Sequence, residues 1–279
     1  MSTLAPGQSV GPFTVRDVLG CGGQSTVYRG RHDNLVDDAA VKVATIEDHD
    51  CGERVRARLM HQARVLDSMS GHHVPTLIDL DVTGDQPYLA MTLAGTRSLA
   101  TRLREQGPLM LSDARPLIIG VADALQRIHD CGILHLDLTP ANVVLDGDTV
   151  RIVDFGAAVA LSEVSEEHAR TFEGTSGYVA LERCLGALPT PQMDVFSLGA
   201  LTYRALIGIR PYADSRSLAA TRRLSPKALT PPVMIRPDIG PYLSDLLMRT
   251  LALDPGKRPA TPREFAEAFA MALPQTRVR

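Results

Sequence analysis

The sequence predicts an α+β fold in which a β-rich N-terminal part precedes a mainly helical part. Three observations support this fold class. Apolar and polar residues alternate in short runs within residues 13–45, which is the period of half-buried strands. Residues 53–69 and 112–128 instead carry apolar side chains at the spacing of amphipathic helices. Between positions 135 and 156, acidic and amide side chains flank short apolar runs, and they mark the expected active site.

Composition and charge describe an ordinary globular protein and exclude several classes of function. The chain has 279 residues, 44% of them hydrophobic, and a formal net charge of −3, so bulk charge predicts no nucleic-acid partner. No apolar run approaches the ~18 residues of a membrane span, and the N-terminus lacks a basic-then-apolar signal. These absences predict a cytoplasmic chain, with a membrane-anchored longer protein left open as the alternative. The cysteines show no metal-ligand spacing, which predicts reduced thiols.

The first predicted elements are two strands joined by a glycine-rich turn. A strand is expected over residues 13–19, with glycines at positions 20, 22 and 23 before the next strand. Glycines let a backbone come close to a phosphate and point its N–H groups at it. A plain hairpin turn is the alternative interpretation. Lys42 follows on the next β-like run, residues 40–43, where a solvated lysine at a strand edge is the alternative.

Two helices are predicted, with a strand between them. The first covers residues 53–69, and a strand over residues 74–80 follows it. Ser112 is the expected N-cap of the second helix. Apolar side chains recur along this second helix at helical spacing: Leu117, Ile118, Val121, Leu125 and Ile128. The pattern predicts a buried helix that leads into the loop around Asp137.

Asp137, Asn142 and Asp154 form the set with the clearest chemistry. Asp137 lies on a predicted loop, Asn142 follows five residues later, and Asp154 comes directly after a short predicted strand. The oxygens of Asn142 and Asp154 suit a Mg²⁺ ion that bridges phosphates, and Asp137 can orient an attacking hydroxyl. Turn-forming Asp and Asn residues are the alternative interpretation. A hairpin pattern joins the two halves of the set, and this makes the alternative weak.

These residues, in this order, resemble the motifs of the protein kinase superfamily, and the layout is closest to bacterial eukaryotic-like (Hanks-type) Ser/Thr protein kinases. Residues 135–142 resemble the catalytic loop and residues 154–156 the Asp-Phe-Gly segment. Residues 20–28 resemble the nucleotide loop, and Lys42 resembles its phosphate-binding lysine. The resemblance covers about residues 11–272, nearly the whole chain.

The resemblance implies a two-lobed fold. A small antiparallel β-sheet lobe with one helix would take residues 11–93, and a larger, mainly helical lobe would take residues 94–272. Residues 1–10 and 273–279 would be tails. ATP and Mg²⁺ are the implied cofactors, and ATP and protein substrates are the implied partners. The oligomeric state is left open.

The implied activity is transfer of the ATP γ-phosphoryl group to Ser or Thr hydroxyls of proteins, including autophosphorylation. Lys42 would hold phosphates, Asn142 and Asp154 would hold Mg²⁺, and Asp137 would orient the hydroxyl, with Thr139 as a further catalytic candidate. The residues implied to contact the nucleotide are Leu19, Gly20, Gly22, Val27, Ala40, Lys42, Met91, Leu93 and Val144.

Four residues of the nucleotide-binding and catalytic motifs depart from the family's pattern, and Leu181 replaces the proline at the end of the substrate-binding loop. Gln62 takes the place of the helix glutamate that pairs with the lysine, and a neutral hydrogen bond is about half as strong as a charge-assisted one. Thr139 replaces a lysine aimed at the transferring phosphoryl group. Leu136 replaces the arginine on which a phosphorylated activation loop docks, and Ser25 replaces the third glycine. Gln62 and Thr139 favour the alternative function, a nucleotide-binding pseudokinase that acts as a scaffold or allosteric partner.

The C-terminal half supplies architectural matches to the same family. Residues 174–182 resemble the substrate-binding loop, and a threonine placed like Thr175 is typical of Ser/Thr-directed members. Asp194 would hold the backbone of the catalytic loop, and Glu182 would pair with Arg258. These matches argue against a small-molecule kinase, which is the third option.

Overall fold

The computed structural model describes residues 3–22, 25–45, 49–69, 73–147, 149–170, 174–212 and 229–273. The chain divides into two compact units. Unit 1 contains the residues up to Thr96 together with Val153–Gly156, and unit 2 contains Arg97–Ile152 and the residues from Ala157 onward. Unit 1 is mainly β-sheet and unit 2 is mainly helical, which confirms the predicted α+β fold class. The predicted lobe boundary between residues 93 and 94 stays a prediction.

Unit 1 is built on a six-stranded antiparallel sheet. Its strands are β1 Ser9–Val10, β2 Phe13–Cys21, β3 Ser25–Arg31, β4 Ala39–Ala44, β5 Leu77–Asp81 and β6 Tyr88–Thr92. Their order across the sheet is β1-β2-β3-β4-β6-β5. Strand β4, which carries Lys42, therefore lies between β3 and β6 and is paired on both edges.

One face of this sheet packs against a cluster of apolar side chains. Tyr28 of β3, Val41 of β4 and Ala90 of β6 belong to the cluster and are buried. Because side chains alternate across a strand, Lys42 and Val27 lie on the opposite face. The alternation therefore leaves that opposite face for the polar groups of the site.

Helix α1, His49–Ser68, confirms the helix predicted over residues 53–69. The apolar side chains that predicted it are buried: Val55, Leu59, Ala63 and Leu66. The helix contacts β5 of the sheet. The strand predicted to start at residue 74 begins only at Leu77, because Pro75 has no N–H to donate to a strand ladder.

Unit 2 is organised around a buried helix. Its helices are α2 Leu99–Gln106, α3 Leu111–Asp130, α4 Glu166–Arg170, α5 Leu181–Cys184, α6 Pro191–Ile207, α7 Pro232–Ile235, α8 Gly240–Thr250 and α9 Pro262–Ala272. Every residue of α6 from Met193 to Tyr203 is buried, and a helix that is covered on all sides is a core helix. Helix α3 contacts both α6 and α9. Of the helices that the described residues form, none combines the length and the apolar content that crossing a membrane would need.

Helix α3 starts earlier than the sequence predicted. Met110 is the N-cap and makes no side-chain capping bond. Its carbonyl accepts the N–H groups of Asp113 and Ala114 at 3.1 and 2.9 Å, so the first helical turn already closes there. Ser112 therefore lies inside the first turn, and its prediction as the N-cap was wrong.

Short strands hold the loops of unit 2. Strand β7, Arg97–Ser98, pairs with β9, Val143–Asp146, and β9 pairs with β10, Thr149–Ile152, as the hairpin pattern predicted. Strand β8, Ile133–Leu134, pairs with β11, Val159–Ala160. The loop that carries Asp137 thus runs between two anchored strands, β8 and β9.

Candidate active site

Lys42 is the centre of the polar group in unit 1. Its Nζ donates to Oδ1 of Asp154 at 2.6 Å and to Oε1 of Gln62 at 3.0 Å. The lysine side chain is only 13% exposed, so the ammonium is shielded from water. The Asp154 side chain is 45% exposed, so water screens this ion pair from the side of the carboxylate.

Gln62 of α1 contacts Lys42, as the resemblance implied, but only the oxygen of its amide makes a hydrogen bond among the described residues. The residue is 2% exposed, and its Oε1 accepts the lysine's hydrogen bond. Its Nε2 is buried and finds no hydrogen-bond partner in the described part of the chain. A buried donor without a partner costs about 1–3 kcal/mol. A carboxylate at this position would carry no such donor.

Asp154 joins unit 1 through this contact with Lys42, which lies 112 positions earlier in the chain. Its backbone has a φ of 65°. This is the left-handed region, where Asp is found more often than most residues with a Cβ. The side chain is 45% exposed, so the carboxylate can be reached from solvent while one of its oxygens accepts from the lysine.

Most residues predicted to contact the nucleotide lie on the same sheet face as Lys42. Gly20 pairs with Val27, and Val27 pairs with Lys42. Ala40, two residues before Lys42 on β4, pairs with Met91. Cross-strand partners share a face, and so do residues two apart on one strand. The strand register thus brings these five residues together on the face opposite the apolar cluster.

Leu19, Leu93 and Val144 are the other apolar residues predicted to contact the nucleotide, and all three are half-buried. Leu19 lies where the register of β2 shifts between Val18 and Gly20. Leu93 follows the end of β6, and Val144 lies in β9 of unit 2. Their contact with a nucleotide stays a prediction.

The predicted glycine-rich turn is described in part, since residues 23 and 24 lie outside the described residues. Gly22 donates its N–H to the carbonyl of Ser25 at 2.8 Å, which closes the turn. Ser25 is the first residue of β3 and pairs with Ala44 of β4. The serine that replaces the third glycine is therefore accommodated as an ordinary strand residue.

In unit 2 the buried carboxylate of Asp194 fixes the predicted catalytic loop. Its Oδ2 accepts the N–H of His135 at 2.8 Å, and its Oδ1 accepts the N–H of Leu136 at 2.7 Å. The ring Nε2 of His129 donates to Oδ2 at 2.8 Å. Burial alone would raise the pKa of Asp194, but these hydrogen bonds and the charge of the nearby histidines hold it below its ordinary value of 3.8. The architectural role predicted for Asp194 is confirmed.

Leu136 shows why that anchor is needed. Its φ is 62°, a left-handed conformation that costs about 1–3 kcal/mol for a residue with a Cβ. The side chain is 4% exposed and packs in an apolar cluster with Phe196 and Tyr203. The bond to Asp194 and this packing offset the backbone strain, and the buried leucine presents no positive charge to a phosphate.

Asp137 is held by groups from two other parts of unit 2. Its Oδ1 accepts the N–H of Thr175 at 2.8 Å. Asn142 donates from Nδ2 to the backbone carbonyl of Asp137 at 2.9 Å and approaches its Oδ2 at 3.4 Å. The structure therefore brings Asp137 and Asn142 together as predicted and adds Thr175 to them.

Thr139 is 4% exposed, and its carbonyl accepts the N–H of Asn142 at 3.0 Å. The backbone of Thr139 thereby fixes the turn that presents Asn142. Its neighbour Pro140 accepts the N–H of Ala100 at 2.8 Å, which ties the turn to the start of α2. The predicted catalytic candidate thus lies in a turn that is fixed on both sides.

Two of the predicted site residues, taken separately, carry oxygen donors of the kind that suits Mg²⁺. Asp154 offers carboxylate oxygen in unit 1, and Asn142 offers an amide oxygen in unit 2. Mg²⁺ prefers such hard oxygen ligands and usually completes its shell with phosphate and water. Within the described ranges, no group of three or more His, Cys, Asp or Glu side chains could hold a metal ion.

Sequence reasoning missed a pocket in unit 2 with a volume of about 680 Å³. It is lined by Ala100, Leu103, Thr139, Pro140, Ala141, Thr175, Tyr178, Arg204, Ile209 and Arg210. Burial raises the pKa of Tyr178, and the positive charges of Arg210 and Arg204 partly oppose that rise. Arg204 lies on the same helix as Asp194. Sequence position alone does not show which side chains Arg204 contacts, and this is why the pocket was missed.

Glu182 and Arg258 form the predicted ion pair. Nη1 of Arg258 lies 2.6 Å from Oε1 of Glu182, and Nη2 lies 3.0 Å from Oε2. The arginine side chain is fully buried and also donates to the carbonyls of Gln192 and Ala252. Two parallel bonds between planar groups fix the segment around Glu182, so the role of this pair is architectural.

Two features together define the protein kinase class of fold. The sheet unit pairs a strand lysine with an aspartate, and the core helix of the helical unit fixes a loop that carries an Asp and an Asn. A sequence model of the protein kinase domain matches residues 13–270, and the chain belongs to that family.

Named relatives and solved structures agree with this assignment. The chain is 31% identical over 267 residues to the probable serine/threonine-protein kinase PkwA of Thermomonospora curvata, covering 95% of this chain and 35% of PkwA. It is 33% identical over 282 residues to the serine/threonine-protein kinase pkn2 of Myxococcus xanthus, covering 96% and 34%. A crystal structure of the PknI kinase domain of Mycobacterium tuberculosis matches with a TM-score of 0.73 at 25% identity, covering 98% of this chain and 100% of that domain.

The chain spans about a third of the length of the first two of these relatives. The relatives are named as bacterial serine/threonine-protein kinases, and the chain is similar to them over nearly its whole length. The predicted resemblance to bacterial Hanks-type kinases is thereby confirmed.

Proposed function

We propose that the chain transfers the γ-phosphoryl group of ATP to Ser or Thr hydroxyls of proteins. The observation that carries the proposal is the contact of Lys42 with Asp154 at 2.6 Å. This contact supports the proposal because an ammonium suited to phosphates lies beside a carboxylate suited to Mg²⁺. It is present although Gln62 stands where the family has a glutamate. The family match and the names of the relatives support the same reaction.

Each polar residue then has a distinct role. Lys42 neutralises charge on the phosphates of ATP. Asp154 and Asn142 would hold Mg²⁺, which would supply positive charge to the phosphate oxygens when bound. Asp137 orients the hydroxyl of the substrate and accepts its proton. The hydroxyl oxygen forms a bond to the γ-phosphorus as the bond to the oxygen shared with the β-phosphate breaks, and ADP leaves.

The remaining roles follow from position. Val27, Ala40 and Met91 share the sheet face of Lys42 and contact the nucleotide together with Leu19, Gly20, Gly22, Leu93 and Val144. Thr139 supplies no positive charge to the phosphoryl group, so we expect a slower reaction than in a kinase with lysine there. A cytoplasmic location belongs to the same proposal.

The test is incubation with radiolabelled ATP and Mg²⁺, comparing the wild type with Asp137→Asn. The wild type should label itself or an added protein, and the variant should lose about 10²-fold or more of the rate, the usual contribution of a positioned base. A nucleotide-binding pseudokinase would instead bind ATP and transfer nothing. Bound ATP with no labelled product in the wild type would therefore contradict the proposal.

A further inference from the structure

The pocket of unit 2 adjoins the carboxylate of Asp137. Thr175 donates its N–H to Asp137 Oδ1 at 2.8 Å, and Thr139 follows Asp137 by two residues. Both threonines line the pocket. An extended peptide advances about 3.3 Å per residue. A peptide whose hydroxyl is oriented by Asp137 therefore reaches the pocket within a few residues of that hydroxyl.

The charged side chains that line the pocket are both arginines. Arg204 lies in the last turn of α6, and Arg210 follows three residues after the helix ends. None of the described residues that line the pocket carries a carboxylate. Apolar side chains such as Leu103 and Ile209 complete the lining. Two guanidinium groups that line one pocket attract an anion together.

Both arginines line the pocket together with Thr175 and Tyr178. Nη1 of Arg210 donates to the carbonyl of Ser176 at 3.1 Å. The positive charge of Arg204 acts on Tyr178 and partly opposes the rise in its pKa that burial causes. A guanidinium has five N–H donors, so the bond to Ser176 leaves donors on Arg210 for a ligand. Arg210 is therefore held in place and still able to bind.

We propose that this pocket selects protein substrates with an anionic side chain within about four residues of the phosphoacceptor hydroxyl. The inference rests on the proposed kinase function and adds a substrate class to it. A carboxylate can accept two parallel bonds from one guanidinium, which gives both strength and direction. Asp, Glu and phosphoserine share this anionic chemistry, and the experiment separates them.

Asp137 and the pocket arginines carry opposite charges, and each charge suits a different part of the substrate. Asp137 is negative and suits the neutral hydroxyl that it orients. Arg204 and Arg210 are positive and suit the anion. A lysine or arginine of the substrate would meet like charge in the pocket and be disfavoured there. Selectivity thus includes exclusion of basic sequences as well as attraction of acidic ones.

The experiment measures peptide binding without ATP, using phosphatase-treated protein and fluorescence anisotropy. Labelled alanine-rich peptides carry a central serine, and each position from four before to four after it is replaced in turn by Glu, phosphoserine or Lys. We expect Glu at one or two positions to bind about tenfold more tightly than Lys, which corresponds to ~1.4 kcal/mol. A gain from phosphoserine alone at that position would assign the pocket to substrates that are already phosphorylated.

Charge-reversal variants test the two arginines. Arg210→Glu and Arg204→Glu should each abolish or reverse the preference, while Arg204→Lys and Arg210→Lys should keep its sign. Arg210 is exposed, so Arg210→Glu remains informative even if Arg204→Glu fails to fold. Arg249→Glu is the matched control, because Arg249 is exposed on α8 and does not line the pocket.

Two results would overturn the inference: equal binding of the Glu and Lys peptides at every position, or an equal loss in Arg249→Glu. Phosphorylation of the same peptides with Mg²⁺ and ATP is measured in parallel. Charge-selective binding without phosphoryl transfer would overturn the proposed kinase function and leave the selectivity standing. Phosphoryl transfer without charge preference would overturn the inferred selectivity and leave the proposed kinase function standing.

Discussion

Gln62 accepts a hydrogen bond from Lys42 at 3.0 Å through its amide oxygen, while its amide nitrogen is buried without a partner among the described residues. The contact of Gln62 with Lys42 takes the position of the family's lysine–glutamate pair, but Gln62 lacks the negative charge of the glutamate. The lysine is instead held by Asp154 at 2.6 Å. The same carboxylate thus serves both the lysine and, in the proposed reaction, the metal ion.

Gln62→Glu should increase the rate of autophosphorylation. The substitution removes the unsatisfied donor and supplies a charge-assisted bond to Lys42, which also relieves Asp154 of part of its role. A gain of about 1 kcal/mol would raise the rate several-fold, since tenfold corresponds to ~1.4 kcal/mol. Initial rates of radiolabel incorporation measure the effect. Gln62→Ala is the control and should be slower than the wild type, and a Glu variant slower than the wild type would refute this account of Gln62.

Asp154→Ala should abolish the stabilisation that ATP gives in the presence of Mg²⁺. Without this carboxylate the metal loses a ligand, and Lys42 keeps only its neutral partner, Gln62. Thermal unfolding with ATP, with and without Mg²⁺, measures the shift in Tm. Asp146→Ala is a suitable control, because Asp146 is exposed on β9 and is also a carboxylate. Equal stabilisation of the wild type and Asp154→Ala would count against the assigned metal site.

Activity should depend little on phosphorylation of the activation loop. Leu136 is buried in an apolar cluster and offers no guanidinium to a phosphate. We expect phosphatase treatment, or Thr175→Ala combined with Ser176→Ala, to change the rate by less than about tenfold. Because Leu136 cannot pair with a phosphate, removing the phosphate breaks no ion pair at that position. The segment after Gly156 also offers Ser162, Ser165 and Thr171 as candidate phosphoacceptors, and Thr171 lies outside the described residues.

Thr175 needs its own interpretation in that experiment. Its backbone N–H, not its side chain, donates to Asp137 at 2.8 Å. Thr175→Ala therefore keeps this contact, and a small effect of the variant is expected. Thr175→Pro removes the N–H and should slow the reaction strongly. A loss well above tenfold on dephosphorylation alone would show that another group docks the phosphate.

Asp194→Asn should destabilise unit 2 at neutral pH. The buried carboxylate accepts three hydrogen bonds, from His129 and from the N–H groups of His135 and Leu136. Removing its charge should cost about 3 kcal/mol or more, as for one partner of a buried pair. Urea unfolding followed by circular dichroism measures the free energy of unfolding. A variant as stable as the wild type would contradict the role of Asp194 as the anchor.

The same carboxylate predicts a pH dependence with a definite sign. Its pKa in the folded protein lies below the ordinary value of 3.8, so folding favours its charged form. The stability that it contributes is therefore present above about pH 3.8 and is lost as the pH falls through the lower folded value. Acid unfolding curves should show that Asp194→Asn loses less stability over this range than the wild type does.

Much of unit 1 and of the candidate site followed from local patterns. Alternation predicted the strands that hold Val27 and Lys42, and helical spacing predicted α1. The contact of Gln62 with Lys42 was implied by the resemblance to protein kinases. Errors fell at element ends. Ser112 was expected to cap α3, but the carbonyl of Met110 already closes the first helical turn. The backbone geometry decides where a helix begins, and the preference of serine for the N-cap position does not fix that geometry.

The sequence by itself determined which residues are the candidates for the chemistry. Lys42, Asp137, Asn142 and Asp154 are recognisable because each lies at a fixed spacing from a strand or a turn, and such spacing is a local property of the chain. The order of these motifs was enough to predict the α+β fold and the kinase family.

The tertiary structure alone decided what those residues touch. Only folding brings Lys42 within 2.6 Å of a carboxylate 112 positions away, and buries the amide of Gln62 with one donor unsatisfied. It also gathers Arg204 and Arg210 beside Thr175 in one pocket. Burial and electrostatic attraction depend on distance in space, and a sequence states only distance along the chain.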